Sequence, residues 1–329
     1  MRPSELAVLS GMRWVIAGAA LNGCGATLDA GSDKEKPGIE LPVDAESTVV
    51  LSNDGPTDNW QGEFAFLLAA KGVDLAGLVI NDSGAWPDLE SNLDGWAMMR
   101  AAASASGIQG LPEPTRSSGP PLVKPASGDI ADTVPNRSAG AELIVRAALD
   151  APEPPVAVIT GGRLTDVADA YLIEPAIADR LVVVASLGEL SSPGASMGVP
   201  NGEMDPWADT IVVQRLRYVQ ISAFYDQKSD VPSSRLTELP QNAFGDWIAS
   251  KHSKIFDIQV GADQVALLAV AVPGFVREVE RAAQAGTQAL SQGEVPTLAV
   301  AEGGDVWLVT SVDGELATQT FWDLLSEVF

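Results

Sequence analysis

A chain of 329 residues with 46% hydrophobic and 6% aromatic side chains carries enough apolar surface to bury one large core, which excludes a disordered tail. Its 44 acidic residues against 20 basic ones give a formal charge of −24, spread along the sequence rather than gathered in a block, so nucleic acid polymer is excluded as a partner. The single cysteine excludes an internal disulfide and the single histidine, His252, excludes a His-rich zinc site, which leaves chemistry on carboxylates, amides and hydroxyls and metal binding through oxygen.

The first segment reads as targeting. Arg13 precedes the apolar run from Trp14 to Leu21, which is too short to span a bilayer and suits the middle of a secretion signal; Met12 offers a second start. The run ends Leu21-Asn22-Gly23-Cys24, which resembles the lipobox of bacterial lipoproteins. Residues 1–24 are therefore expected to be a signal peptide ending at the lipidation cysteine Cys24, residues 25–45 a flexible linker, and residues 46–329 the folded domain. The other reading of Cys24 is a stray cysteine after an ordinary signal peptide. Lipidation implies an exported protein in the cell envelope, on the periplasmic or outer-membrane side, touching the membrane through its lipid only.

Beyond the linker, short apolar runs alternate with helical segments. Strands are predicted at Thr48–Asn53, Leu75–Asn81, Val156–Thr160, Leu181–Ala185 and Tyr218–Ile221, with helices at Gly62–Lys71, Asn92–Ser106, Ala139–Leu149, Leu164–Tyr171 and Trp207–Leu216. That rhythm predicts an α/β fold with a mostly parallel sheet and helices on both faces. The Pro/Gly/Ser-rich stretches from Gly107 to Pro135 and from Gly188 to Pro206 read as long loops. Toward the C-terminus the pattern predicts helices at Ala262–Val272 and Phe275–Ala285, strands at Thr297–Ala301 and Val306–Ser311, and a last helix at Thr320–Val328.

The first strand ends in Asp54 and Asp58, separated by a Gly-Pro turn and followed by Asn59. Strand, acidic loop and helix in that order is where an open α/β sheet presents ligand groups. Two carboxylates and an amide in six residues suit a hard cation such as Ca²⁺; a plain Asx/Pro turn is the other reading. Asp263, ahead of an apolar helix, is either a ligand or an N-cap, and the two are compatible. Trp60 either stacks on a ligand or packs the helix that it precedes.

Several segments together resemble the inosine-uridine-preferring nucleoside hydrolase family, whose opening motif is Asp-x-Asp-Pro-Gly-x-Asp-Asp-Ala. Here the stretch reads Ser52-Asn53-Asp54-Gly55-Pro56-Thr57-Asp58-Asn59-Trp60. Leu75 to Asn81 is similar to the second strand of that family. Thr160-Gly161-Gly162-Arg163-Leu164-Thr165-Asp166 resembles its Gly-Pro-Leu-Thr-Asn turn with one residue more, and Glu203-Met204-Asp205-Pro206-Trp207-Ala208-Asp209 its Glu-Phe-Asn-x-x-x-Asp. Ala262-Asp263-Gln264-Val265-Ala266 is similar to its His-Asp-x-x-Ala, with alanine in place of the histidine.

The resemblance implies a Rossmann-like three-layer architecture and an N-glycosidase that hydrolyses a ribonucleoside or related riboside with a metal-activated water. It implies Asp54 as the catalytic base; Asp58, Asn81, Glu203 and Asp205 on the sugar; and Asp54, Asn59, Thr160, Gly161 and Asp263 around Ca²⁺. Ala262 removes an acid for the departing base, and Asn59 removes a charge from the metal site, which lowers Ca²⁺ affinity unless Glu63 faces inward and compensates. Two other functions stay open. One is a catalytically impaired sugar- or nucleoside-binding lipoprotein of the same fold. The other is a metal-dependent nucleotide phosphatase, since Leu51-Ser52-Asn53-Asp54-Gly55 also resembles the start of the survival protein E nucleotidases. Self-association is compatible with every one of these readings.

Overall fold

The computed structural model describes residues 40–56, 60–82, 88–117, 119–186, 200–222, 233–252 and 263–329. Cys24 with the rest of the N-terminal segment, Asp58 and Asn59 of the first loop, and Ala262 lie outside the described residues.

Strand β1 (Val49–Asn53) is buried along its whole length because its alternate side chains feed two cores: Val49 and Leu51 go to one face, Val50 to the other. Helix α1 (Gln61–Ala70) leads to β2 (Leu75–Ile80), and α2 (Leu89–Ala105) starts at Asp88, whose carboxylate accepts from Ser91 N at 2.8 Å. A three-residue strand β3 (Pro114–Arg116) follows. The alternation continues through α3 (Ala139–Asp150), β4 (Val156–Thr160), α4 (Thr165–Ile173) and β5 (Leu181–Ala185). Next come α5 (Pro200–Met204), α6 (Pro206–Arg215), β6 (Arg217–Ile221), α7 (Ala243–His252) and α8 (Asp263–Ala271). The chain closes with β7 (Val276–Leu290), β8 (Gly293–Val300), β9 (Val306–Val312) and α9 (Gly314–Val328).

The strands form a 9-stranded sheet in the order β3-β2-β1-β4-β5-β6-β9-β7-β8. β7 joins antiparallel to β9, and β8 antiparallel to β7; the other neighbouring pairs are parallel. Phe64 of α1, Trp96 of α2, Phe244 of α7, Val265 of α8 and Phe321 of α9 cover one face, while Ile144 of α3, Val167 of α4 and Ile211 of α6 cover the other. The expected α/β sheet with helices on both faces is therefore the observed one. No described helix is long and apolar enough to cross a membrane.

Strand order places the site. From β1 the chain steps outward to β2 and β3, then returns to lay β4, β5 and β6 on the opposite side of β1. The loops after β1 and β4 thus diverge to opposite faces, leaving a crevice at the carboxyl ends of these two strands.

The C-terminal third departs from the sequence reading. All but the first residue of the predicted helix Phe275–Ala285 lies in strand β7, which pairs along both edges, with β8 and with β9. Its run of Ala, Glu, Gln and Arg favours a helix locally, but sheet partners on both sides override a preference worth a few tenths of a kcal/mol per residue. A two-residue turn, Ser291-Gln292, closes the hairpin at the Leu290–Gly293 pair. The stretch predicted as loop from Gly107 to Pro135 contains β3, the one from Gly188 to Pro206 contains α5, and α7 forms where no element was predicted.

Candidate functional site at the switch point

The parallel ladders run one residue past the strand ends. Asn81 N donates to Asn53 O at 2.8 Å and Gly161 N to Ser52 O at 3.0 Å, so the loops after β2, β1 and β4 begin side by side. Two glycines then let the walls approach. A Cβ on Gly161 would lie 2.5 Å from Asn53 Nδ2 and 2.6 Å from Cγ of Asp263; one on Gly162 would lie 3.1 Å from Asn81 Nδ2 and 3.5 Å from Asp54 N. Asp54, Asn81, Thr160, Gly161 and Asp263, which span more than half of the sequence, therefore meet at one rim of the sheet.

Buried amides hold this rim. Asn53 Nδ2 donates to Gln61 Oε1, and Gln61 Nε2 donates to Asp263 O at 2.6 Å, which ties β1 through α1 to the start of α8. From α2, Asn92 Nδ2 donates to Asn81 O at 2.9 Å and Trp96 Nε1 to Asp54 O at 2.9 Å. Asn81 Nδ2 donates to Ser52 Oγ at 3.1 Å. Asn53 Oδ1, Asn81 Oδ1 and Thr160 Oγ1 are buried with no hydrogen-bond partner among the described residues, a costly arrangement that core packing alone does not call for. Trp60 is a packing residue: with φ at 62° it turns the chain into α1 and meets Phe321 edge-on at 5.3 Å. Glu63 is fully buried on the same helix.

Asp54 is 4% exposed. Burial pushes its carboxyl above the usual aspartate value and neighbouring Asp82 adds to this, while the Gly55 N–H, at 2.7 Å from Oδ1, and the Arg163 guanidinium pull it back. A carboxylate raised in this way is a better proton acceptor. Sequence reading gave Arg163 no role. It is 3% exposed and donates through one terminal nitrogen to Asp82 Oδ2 at 3.0 Å and to Gly119 O at 2.5 Å.

The two sugar-binding candidates on α5 and before α6 are engaged inside the protein. Asp205 Oδ2 accepts from Thr165 Oγ1 at 2.6 Å and from Leu122 N at 2.9 Å, and its Oδ1 caps α6 by accepting from Ala208 N at 3.1 Å. Burial raises its carboxyl, opposed by these three bonds and by Arg163. Glu203, half-buried, accepts through Oε1 from Ser291 N at 3.2 Å and Ser291 Oγ at 2.5 Å, in the turn between β7 and β8. Next to Asp205 a cavity of about 150 Å³ is lined by Leu122, Lys124, Met204, Trp207 and Gly293, with the Lys124 ammonium 5.1 Å above the Trp207 ring.

Calcium takes six to eight oxygens, and several of the candidate donors already have partners within the protein. Gly161 O accepts from Asn201 Nδ2 at 2.7 Å, an amide that also reaches Ser186 O at 3.1 Å, and Thr160 O accepts from Ser186 N at 2.9 Å in the ladder with β5. Asp54 Oδ1 is bonded within its own turn. Among the described residues no group of three or more acidic, histidine or cysteine side chains is arranged to hold a metal ion. Of the residues implied around Ca²⁺, Asp54, Thr160, Gly161 and Asp263 share this rim, and Asn59 lies outside the described residues. Asn53, Gln61, Arg163 and Asn201 are the polar residues of the rim that sequence reading passed over.

No protein-family model matches the sequence, and no curated protein matches it. Solved structures do. An inosine-guanosine nucleoside hydrolase superposes with a TM-score of 0.62 at 15% identity over 85% of this chain and 99% of its own. The purine-preferring ribonucleoside hydrolase from Gardnerella vaginalis gives 0.61 at 14% identity over 85% and 98%. The type III effector protein XopQ, complexed with adenosine diphosphate ribose, gives 0.56 at 13% identity over 88% and 95%. The chain has the nucleoside hydrolase-like fold.

Proposed function

We propose that this protein is a hydrolase of N-glycosidic bonds in a ribonucleoside or related riboside, working at the switch-point rim. The observation that carries the reading is the meeting of Asp54, Asn81, Gly161 and Asp263 at the carboxyl ends of β1, β2 and β4. The structural neighbours support the reading: two are nucleoside hydrolases by name, and a third was solved with adenosine diphosphate ribose.

In this reading Asp54 takes a proton from a water that attacks the anomeric carbon as the bond to the base breaks. Its raised carboxyl suits that task. The transition state is oxocarbenium-like, and the negative charges of Asp54 and Asp263 near the ring favour it. Asn81 offers its unspent amide oxygen to a ribose hydroxyl. Asp205 and Glu203 act on the sugar only if a ligand displaces their present partners, which is the observation that favours the second reading, a riboside-binding protein without turnover.

The test is release of reducing sugar from a panel of ribosides by the full chain, with Asp54→Ala beside it. Turnover is expected to fall by about 10²- to 10⁴-fold in the variant, the contribution of a positioned base. Unchanged turnover would reject Asp54. Heat of riboside binding without any sugar released would support the binder.

We also propose that the mature chain is exported and held to the envelope by a lipid on Cys24. Incorporation of labelled fatty acid into the wild type and its loss in Cys24→Ser is the expected result. Equal labelling of both would reject the anchor.

A further inference from the structure

The cavity beside Asp205 lies apart from the rim: none of Asp54, Asn81, Gly161 and Asp263 is among the residues that line it. We propose that it is a binding site for a small organic acid, a ring-sized apolar body carrying one carboxylate, with Lys124 as the partner of that carboxylate. The inference needs no turnover at the rim and stands apart from the hydrolase reading.

Three segments far apart in the chain build its walls: the loop after β3 with Leu122 and Lys124, the step from α5 to α6 with Met204 and Trp207, and the turn between β7 and β8 with Gly293 and Glu294. Leu122 N donates to Asp205 Oδ2 at 2.9 Å, Trp207 Nε1 to Thr133 Oγ1 at 2.9 Å, and Ser291 Oγ to Glu203 Oε1 at 2.5 Å, so loop, helix start and turn are fixed to one another. Gly293 passes close over Pro206, where a Cβ would lie 3.3 Å from the proline ring, and its missing side chain leaves the space open. Walls that are set before a ligand arrives spare the cost of ordering them on binding.

The chemistry of the cavity is asymmetric. Leu122, Pro206 and Trp207 are buried and give it an apolar floor, and its volume of about 150 Å³ is that of a cavity which accepts benzene. Lys124 is exposed at the mouth, and the Trp207 ring, 5.1 Å from the ammonium, holds the long side chain over the cavity. Among the described residues that ammonium has no hydrogen bond and no ion pair, although Glu294 lines the same cavity and acidic residues outnumber basic ones 44 to 20. An unpaired cation at the edge of an apolar floor selects a ligand that joins a carboxylate to a ring. Asp205 does not oppose it, because both of its carboxylate oxygens are taken up by Thr165, Leu122 and Ala208, and Glu294 is exposed, where solvent screens its charge.

The experiment is calorimetric titration of the full wild-type chain with benzoate, with benzamide and benzylamine as the neutral and cationic counterparts of the same ring. Benzoate is expected to bind with a dissociation constant of about 1 mM, as suits a ligand of so few atoms. Benzamide is expected to bind about fivefold more weakly, and benzylamine, which meets the Lys124 charge, not at all. Lys124→Met keeps the stem over Trp207 and loses the charge. It is expected to weaken benzoate about fivefold and to leave benzamide unchanged, so that the two ligands become alike. Met204→Trp puts a larger side chain into the cavity and is expected to abolish benzoate binding.

The absence of benzoate binding up to about 10 mM overturns the proposal. So does benzoate binding that Lys124→Met leaves unchanged, or benzylamine binding as tight as that of benzoate. Should Met204→Trp fail to fold, Lys124→Met decides, since its side chain is exposed and supports no other contact than the Trp207 ring. Riboside hydrolysis enters none of these readouts: the acid site can fail with turnover at the rim intact, and turnover can be absent while the acid still binds.

Discussion

The closest approach at the rim makes Gly161→Ala its most informative perturbation. The added methyl carbon would lie 2.5 Å from Asn53 Nδ2, 2.6 Å from Asp263 Cγ and 2.7 Å from Asp263 Cβ, where ordinary contact begins at 3.4 Å. Neither neighbour can swing away cheaply. Asn53 is held by Gln61, and Gln61 is held by the backbone of Asp263, so one relay ties both obstacles together. Relief requires the end of β4 to part from α8 by about 1 Å, and overpacking of this kind costs about 1–3 kcal/mol.

Gly162→Ala is the matched control. Its methyl would lie 3.1 Å from Asn81 Nδ2 and 3.5 Å from Asp54 N, a conflict that a few tenths of an ångström removes. The lower entropy of the unfolded alanine chain returns about 0.4–1 kcal/mol, so this variant should melt close to the wild type. In urea, with a slope of about 3 kcal/mol/M, Gly161→Ala is expected to lose about 0.7 M in midpoint and Gly162→Ala about 0.2 M or less. Equal midpoints for the two variants would refute the close packing of Gly161 against Asn53 and Asp263.

Asp209 is fully buried, its carboxylate oxygens have no hydrogen-bond partner among the described residues, and burial with the nearby Asp205 charge holds its carboxyl well above 3.8. A raised folded value means that its share of stability is complete below the unfolded pKa and is lost as pH rises through the folded one, at about 1.4 kcal/mol per unit of the raise. Asp209→Asn should therefore lose less stability than the wild type as pH rises from the usual aspartate range toward neutrality; parallel curves in urea melts would reject the buried acid. Thr165→Val removes the 2.6 Å bond to Asp205 Oδ2 and should cost about 1.5–3 kcal/mol wherever that carboxylate is charged. Because burial raises Asp205, the cost should shrink at a pH below its folded value, and an unchanged urea midpoint above that value would show that the bond is not made.

Much of the fold was legible because it is local. Strands such as Val156–Thr160 and Leu181–Ala185 are short β-branched runs between helical segments, and that pattern has one stable solution, a parallel sheet covered on both faces. The stretch 276–285 reads as a helix because helix and strand compete there on nearly equal local terms, and β9 and β8 decide between them from outside. Residues of the rim divide in the same way. Asp54 and Asp263 stand out in the sequence as acids at element ends and through the motif resemblance, whereas Gln61 acts on a backbone carbonyl 202 residues away.

The sequence alone determined the layered architecture and the acids available to the rim, since periodicity and residue type are properties of neighbours in the chain. What only the tertiary structure decided is how those acids are spent. Asp205 is committed to Thr165, Leu122 and Ala208, Glu203 to Ser291, and Asp82 to Arg163. Such commitments form between segments that the fold alone brings within 3 Å or so, where burial turns each pairing into a condition of stability rather than a choice.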